Sequence, residues 1–396
     1  MRVTRLLLED FRSYERAELL PDERLTIVAG PNGAGKTNLL EAVHVAIAGR
    51  SHRAAADGEL VRHGRPFARV RLDLAGAADA DGARLELVLP GEPASPDVRK
   101  RLLLNGLPRR TSTVHDVVRS VLFRPEEMLL LVGSPGERRR FLDGILAQRD
   151  RRAARDLADL SRVLAQRNAL LRAIRREEAG VEGLGFWDEQ LAAVGSRVMA
   201  ARLALVGELD ARIAALHDAV APDDERRDAV RLAYADTLKE AWAERRAAAP
   251  GDADAPTADE LLAAFRTRLV DARQKELWNG VTLIGPQRDD LRVELGGREV
   301  AAHASRGQQR TIILALKLAE RDLLGSGGAP TPIVLLDDVF SELDPGRSGR
   351  ALELLLERGQ VLVTTADLAA LPPKRRRGVP TWNVGEGRLS LAPRVA

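Results

Sequence analysis

The segment Gly30-Pro31-Asn32-Gly33-Ala34-Gly35-Lys36-Thr37 constrains this chain more than any other. It satisfies G-x-x-x-x-G-K-[ST] at every fixed position. It directly follows Leu25-Thr26-Ile27-Val28-Ala29, a short apolar run of the kind a buried strand shows. An apolar, helix-like segment, 38–48, comes directly after it. Strand, glycine-rich loop and helix in that order make a phosphate cradle. Glycines let backbone N–H groups curl round phosphate oxygens with no Cβ in the way. The helix start turns its positive end toward the same anion. Lys36 is expected to reach the β- and γ-phosphates of a nucleotide, and the Thr37 hydroxyl to ligate Mg²⁺.

A second segment completes this chemistry some 300 residues later. Ile333-Val334-Leu335-Leu336-Asp337-Asp338 reads as a buried strand that delivers carboxylates at its end. Asp337 is the metal-side candidate, and Asp338 is placed to orient or deprotonate an attacking water. Two further segments have no use in a simple monomeric nucleoside triphosphatase. Ser305-Arg306-Gly307-Gln308-Gln309-Arg310 opens another helix, expected over 311–324, and offers a second anion-seeking helix start. That suggests a nucleotide shared between two subunits, although Ser305 would serve equally as a plain N-cap. Phe340-Ser341-Glu342-Leu343-Asp344-Pro345 is turn-like and is placed to run along such an interface.

At 396 residues the chain suits two domains, or one with a sizeable insertion. Residues 1–130 read as α/β, with strands expected at 67–74, 84–89 and 101–104 and loops at 75–82 and 91–97. From 136 to 275 turn signals thin out. Leu191, Val194, Val198, Leu205, Leu209, Ile213 and Leu216 recur at spacings of 3, 4 and 7, one stripe of a long helix. Breaks fall near Pro222 and at 250–256. From 276 the α/β character returns: a hairpin about Gly296-Gly297, a helix at 352–357, a strand at 361–364 and a final strand within 379–391. The expected organisation is an α/β head built from both chain ends, 1–135 and 276–396, with 136–275 inserted as an antiparallel helical arm lobe.

Composition removes several alternatives. There is no cysteine, so disulfides, thiolate metal sites and cysteine nucleophiles are excluded. The six histidines form no HExxH. The apolar start is cut at Glu9, too short for a signal peptide, and no apolar run reaches the ~18 residues of a membrane span. A soluble, cytoplasmic protein is expected. Formal net charge is only +3, but of 61 basic residues six are lysine, leaving 55 arginines. Between 138 and 176 twelve arginines face four aspartates. Arg151, Arg155 and Arg162 fall within about 40° on one helix face, a stripe suited to duplex DNA phosphates or simply to solvent. The run Lys374-Arg375-Arg376-Arg377 reads as a solvated loop. Aromatics at 3% make a platform stacking successive bases improbable.

Phosphate loop, serine-led loop, double carboxylate and following aspartate loop together resemble the ABC-type ATPase heads of the SMC group. Within it the likeness is to the RecF family. It extends through Leu8-Glu9-Asp10-Phe11-Arg12-Ser13-Tyr14-Glu15, Gly133–Asp143, Gly285-Pro286-Gln287-Arg288-Asp289-Asp290-Leu291 and Leu335–Asp344. The resemblance implies ATP and Mg²⁺ as cofactors and an ATP-dependent homodimer. It implies binding to duplex DNA or the junction beside a single-stranded gap, slow ATP turnover serving release, and action with RecO and RecR to help load RecA. Ser305, Gly307 and Gln308 would then face the γ-phosphate held by the other subunit, and Asp344 would support the interface. Thr364, with Thr365, follows a strand where many transporters place histidine, so a hydroxyl is expected to sense the γ-phosphate. Gln287 stands where the pattern has histidine, and Asp338 where most such ATPases carry glutamate. A transporter-coupling subunit would usually lack the insertion, and a phosphate-loop kinase has no need of Ser305–Arg310 or Asp344.

Overall fold

A computed structural model describes residues 1–396 apart from 77–81, 93–97, 224, 227, 239–255, 374–375, 377 and 393–396. The expected loops at 75–82 and 91–97, the break at 250–256 and the basic run at 374–377 lie partly outside the described residues.

Eight strands precede the helical block: β1 (Arg2–Phe11), β2 (Tyr14–Leu19), β3 (Leu25–Ala29), β4 (Phe67–Ala75), β5 (Ala83–Pro90), β6 (Arg101–Leu104), β7 (Leu107–Pro108) and β8 (Ser120–Phe123). Then come β9 (Val230–Ala235), β10 (Asp290–Leu295), β11 (Arg298–Glu299), β12 (Ile333–Asp337), β13 (Val361–Thr365), β14 (Thr381–Gly385) and β15 (Arg388–Leu391). The chain divides into two compact units. One comprises Met1–Met128, Ala215–Arg227 and Arg306–Ala396, the other Leu129–Ala214 and Asp228–Ser305.

The first unit holds two six-stranded sheets. One is antiparallel, in the order β2-β1-β4-β5-β6-β7. The other runs β15-β14-β3-β13-β12-β8, parallel from β14 to β8 with β15 antiparallel at the edge. β3, β12 and β13 are buried at every residue, which is why they read as continuous apolar runs. The helix Lys36–Ala48 buries Leu39, Leu40, Val43, Ile47 and most of its remaining residues. It shares one core cluster with side chains of both sheets, among them Leu6, Leu72, Leu335 and Leu362. With nine of its thirteen residues buried, Glu41 among them, the helix has little solvent face to offer.

The second unit is mainly helical. Arg151–Arg175 and Leu184–Val220 run antiparallel, since Arg149 pairs with Glu208 (3.0 Å), Arg197 with Asp156 (2.8 Å) and Arg167 with Asp188 (2.7 Å). The expected stripe is buried at Leu191, Val194, Val198, Leu205, Leu209 and Ile213, while Leu216 at its end is half-buried. The block is not wholly helical, however. β9 lies inside it and pairs with β10, from Asp290↔Ala235 to Leu295↔Val230. That pairing draws residues 276–305 into the helical unit, so the seam lies between Ser305 and Arg306 rather than at 275/276. Two smaller expectations are corrected. The hairpin at Gly296-Gly297 has only two residues in its second strand before the helix Val300–His303 begins. The final strand is a pair, β14 and β15.

Within this unit two segments quoted for the resemblance are joined. Arg138 grips Asp290 with both arms (2.7 and 2.8 Å), and Arg139 donates to the Asp289 carbonyl (2.8 Å). Arg202 holds Asp143 (2.8 and 2.9 Å) and the Pro286 carbonyl (2.6 Å). Asp289 accepts from the Tyr234 hydroxyl (2.7 Å) and the Thr237 amide (2.8 Å). Burial pushes its carboxyl up to about 6 despite those donors.

Candidate functional site

The parallel sheet sets three neighbouring strand ends side by side. In the order β3-β13-β12, Thr364 pairs with Val28 and Thr365 with Ala29, while Asp337 pairs with Thr364. The phosphate loop leaves β3, the two threonines end β13 and the carboxylates end β12. Residues more than 300 positions apart therefore meet because their strands share one register.

The loop has the conformation its glycines permit. Gly33 has φ 80° and Gly35 φ 112°. A Cβ on Gly30 would lie 2.4 Å from the Val384 carbonyl, and one on Gly35 2.8 Å from Ser13 Oγ. The Gly30 amide donates to the Thr365 carbonyl (3.2 Å). Lys36, nearly buried, donates its ammonium to the carbonyls of Gly30 (2.8 Å) and Pro31 (3.0 Å), so the cation lies over the loop it serves. Pro31, Asn32 and Gly33 are exposed on the rim, and Ala34 closes the turn onto the Pro31 carbonyl (3.2 Å).

Asp337 is buried and accepts from the Thr364 hydroxyl (2.7 Å). Burial raises its carboxyl above the usual range. Hydrogen bonds from Thr364 and Thr37 oppose that, and the charges of Glu126 and Asp338 add to it. Thr37 and Asp337 are thus direct neighbours, and Glu126, which the sequence left without a role, lies close by. Thr364 is fully buried and its hydroxyl is committed to Asp337. Asp338 takes a left-handed turn at φ 52°. Its amide is held by the Thr364 hydroxyl (3.1 Å) and carbonyl (3.2 Å), and the Ala366 amide donates to its carboxylate (3.4 Å). Two consecutive carboxylates consequently point differently, the first inward and the second toward the rim.

The sequence missed what holds this loop from the other side. Arg12, itself at φ 51°, forks onto buried Glu41 (3.0 and 3.1 Å). Ser13 accepts from Asn38 (3.0 Å), and the buried Tyr14 hydroxyl donates to the Gly35 carbonyl (3.0 Å). Positions 35, 38 and 41 lie about one turn apart, from the cap into the helix, so Arg12 and Ser13 of the β1–β2 turn and Tyr14 opening β2 clasp it in reverse order.

The other predicted residues fall as follows. Ser305 is exposed, directly before the helix Arg306–Leu324, and Gly307 and Gln308 are half-buried in its first turn. Asp344 caps the helix Pro345–Glu357 by accepting from the Arg347 amide (3.0 Å). Arg151, Arg155 and Arg162 are exposed on the outer face of their helix, opposite buried Ala153, Leu160 and Val163. Gln287 turns its amide onto the Ile284 carbonyl (2.8 Å). Among the described residues no cluster of three or more His, Cys, Asp or Glu could hold a metal, and no helix is long and apolar enough to cross a membrane.

A glycine-rich loop of phosphate-binding form, a buried carboxylate ending the next-but-one strand and the helix Arg306–Leu324 lie in one α/β unit with the layout of an ABC-type ATPase head. Residues 2–372 match the RecF/RecN/SMC N-terminal domain family. The chain is 41% identical over 379 residues to the DNA replication and repair protein RecF of Kineococcus radiotolerans, covering 92% of this chain and 93% of that one. Solved structures of the recombination mediator protein RecF with ATPrS and with ATP, in the RecFOR pathway, superpose with TM-scores of 0.85 and 0.83. Each is 25% identical and covers 99% of this chain and 98% of its own. The chain belongs to the RecF family.

Proposed function

We propose that this protein is an ATP-gated DNA-binding ATPase of recombinational repair. Two copies close on ATP, engage duplex DNA or a gap junction while closed, and separate after slow, DNA-stimulated hydrolysis. With RecO and RecR it helps load RecA in the cytoplasm. The observation that carries this reading is the convergence of the Lys36 loop, the Thr37–Asp337–Thr364 cluster and Asp338 on three adjacent strand ends. The RecF structures holding ATP or ATPrS support the same nucleotide here.

In this reading the triphosphate takes the Lys36 ammonium from the Gly30 and Pro31 carbonyls. Amides at the start of the buried helix bind its oxygens. The residues fit Mg²⁺: a hydroxyl and a carboxylate already in contact are hard oxygen donors, and such sites draw their remaining ligands from water and phosphate. Mg²⁺ supplies charge neutralisation at the β- and γ-phosphates. The Thr364 hydroxyl orients Asp337 by donating to its carboxylate and Asp338 by accepting from its amide. Asp338, on the rim, orients or deprotonates the attacking water. Ser305, Gly307 and Gln308 meet the γ-phosphate of the other subunit.

The test is DNA binding with ATP, ADP and no nucleotide, for wild type and Lys36→Met, with mass measured by sedimentation. Wild type is expected to dimerise and bind DNA at least tenfold more tightly with ATP than with ADP, and Lys36→Met to lose that difference. DNA binding indifferent to both nucleotide and mutation sinks the gating mechanism.

A further inference from the structure

One carboxylate in the first unit is shared by the two helix starts on which the proposed subunit interface depends. Glu225 follows the long helix that ends at Val220, and its side chain is only 11% exposed. Its Oε2 accepts from the Thr311 hydroxyl (2.9 Å), in the second turn of the serine-led helix; the same hydroxyl lies 3.1 Å from the Gly307 carbonyl. Its Oε1 receives the Arg347 guanidinium. The other arm of that guanidinium holds Asp344 Oδ2 (2.9 Å), while Asp344 Oδ1 caps the helix through the Arg347 amide (3.0 Å). Arg350, one turn on, grips the Val220 carbonyl (2.9 and 3.1 Å) and so anchors the stretch leading to Glu225.

The pair abuts the glycine of the serine-led loop. A Cβ on Gly307 would lie 3.5 Å from both the Glu225 carboxylate and the Arg347 guanidinium. An enclosed ion pair adds little net stability, because both ions lose hydration on burial. What a guanidinium bridging two carboxylates does supply is orientation, since its planar, fixed arms set the two acceptors relative to each other. Here that orientation ties Gly307 to Asp344, residues on different helices.

We propose that Glu225, through Thr311 and Arg347, is the positioning residue that sets Gly307 and Asp344 in register for a second copy of this chain. The inference rests on the ATP-dependent dimer proposed above. It separates two affinities. A single copy keeps its grip on nucleotide, because the Lys36 loop shares none of these bonds. Closure of two copies weakens, because the two interface loops lose their common anchor.

The experiment uses the full chain with Thr311→Val and Glu225→Gln. Thr311→Val removes one hydroxyl at nearly constant volume and guards against the case in which Glu225→Gln unfolds. Fluorescent ADP titrated onto dilute protein reads single-copy affinity, and sedimentation with ATP reads dimerisation. Thr311→Val and Glu225→Gln are expected to bind ADP within about twofold of wild type and to raise the dimer dissociation constant by about tenfold or more, as loss of a hydrogen bond to a charged group implies. Folded variants that dimerise like wild type overturn the positioning role while leaving the dimer reading intact. So does an ADP affinity that falls in step with dimerisation. A wild type that stays monomeric in ATP overturns both.

Discussion

Gly35 condenses the logic of the site into one residue. Its φ of 112° suits glycine, and a Cβ there would strike Ser13 Oγ at 2.8 Å and the Tyr14 hydroxyl at 3.1 Å. Its glycine identity was legible because the loop's constraint is local: eight consecutive residues declare it. The clasp was not legible, since Tyr14 reaches Gly35 across 21 residues through a turn that places Arg12 at positive φ. Burial holds the Tyr14 phenol well above its ordinary pKa, so it remains a donor across the working pH range. Tyr14→Phe leaves the Gly35 carbonyl one bond short, a cost of about 1 kcal/mol in a buried place. Because that bond shapes the loop around both nucleotides, ADP and ATP affinities are expected to fall together, by roughly three- to tenfold. Calorimetric titration of each nucleotide checks this. Loss confined to ATP counts against a role exerted through the loop.

Among the elements, the helix Arg151–Arg175 shows how charge counted along a sequence misleads. Twelve arginines in its neighbourhood suggest a basic surface, yet several are spent inside the fold. Arg138 is bound to Asp290, Arg149 to Glu208, and Arg167 is fully buried against Asp188 (2.7 Å), Glu276 (2.6 Å) and Thr282 (2.8 Å). The sequence carries no sign of this, because Glu276 lies 109 residues away. β9 was missed for a kindred reason: a six-residue strand inside a helical block is defined by its partner β10, and that partner comes 55 residues later. The long apolar stripe was read correctly because its period is set within one helix. Arg167→Ala strands Glu276 with no solvent exposure and one backbone donor, Leu283 N (2.7 Å). Removing one partner of such a pair costs about 3–5 kcal/mol. Urea unfolding followed by circular dichroism is expected to show a clearly lower midpoint for Arg167→Ala than for Arg162→Ala, whose ion pair with Asp159 is exposed and worth little. Equal midpoints rule out Arg167 as a keystone of this lobe.

Over the whole molecule, the head assembled from both chain ends was legible because two halves of one phosphate chemistry, near positions 36 and 337, are useless apart. Its seam was not, since β10 reads as head strand in sequence but pairs with β9. Charge adds the remaining constraint at this scale. With a formal net charge of only +3, the proposed attraction to DNA would have to come from local arrangement. Arg151, Arg155 and Arg162, the last paired with exposed Asp159, lie along one outward helix face. A stripe of this kind contacts phosphates and reads no bases. Each phosphate contact made adds about 0.9 to the steepness of log affinity against log salt. Reversing all three to glutamate is therefore expected to flatten that slope by up to about 3, to weaken ATP-dependent binding to duplexes of unrelated sequence alike, and to leave nucleotide affinity unchanged. Fluorescence anisotropy across a salt series measures both quantities at once. An unaltered slope with unaltered affinity places the DNA contact elsewhere, whereas weakening confined to one DNA sequence points to base readout, which a bare arginine stripe does not provide.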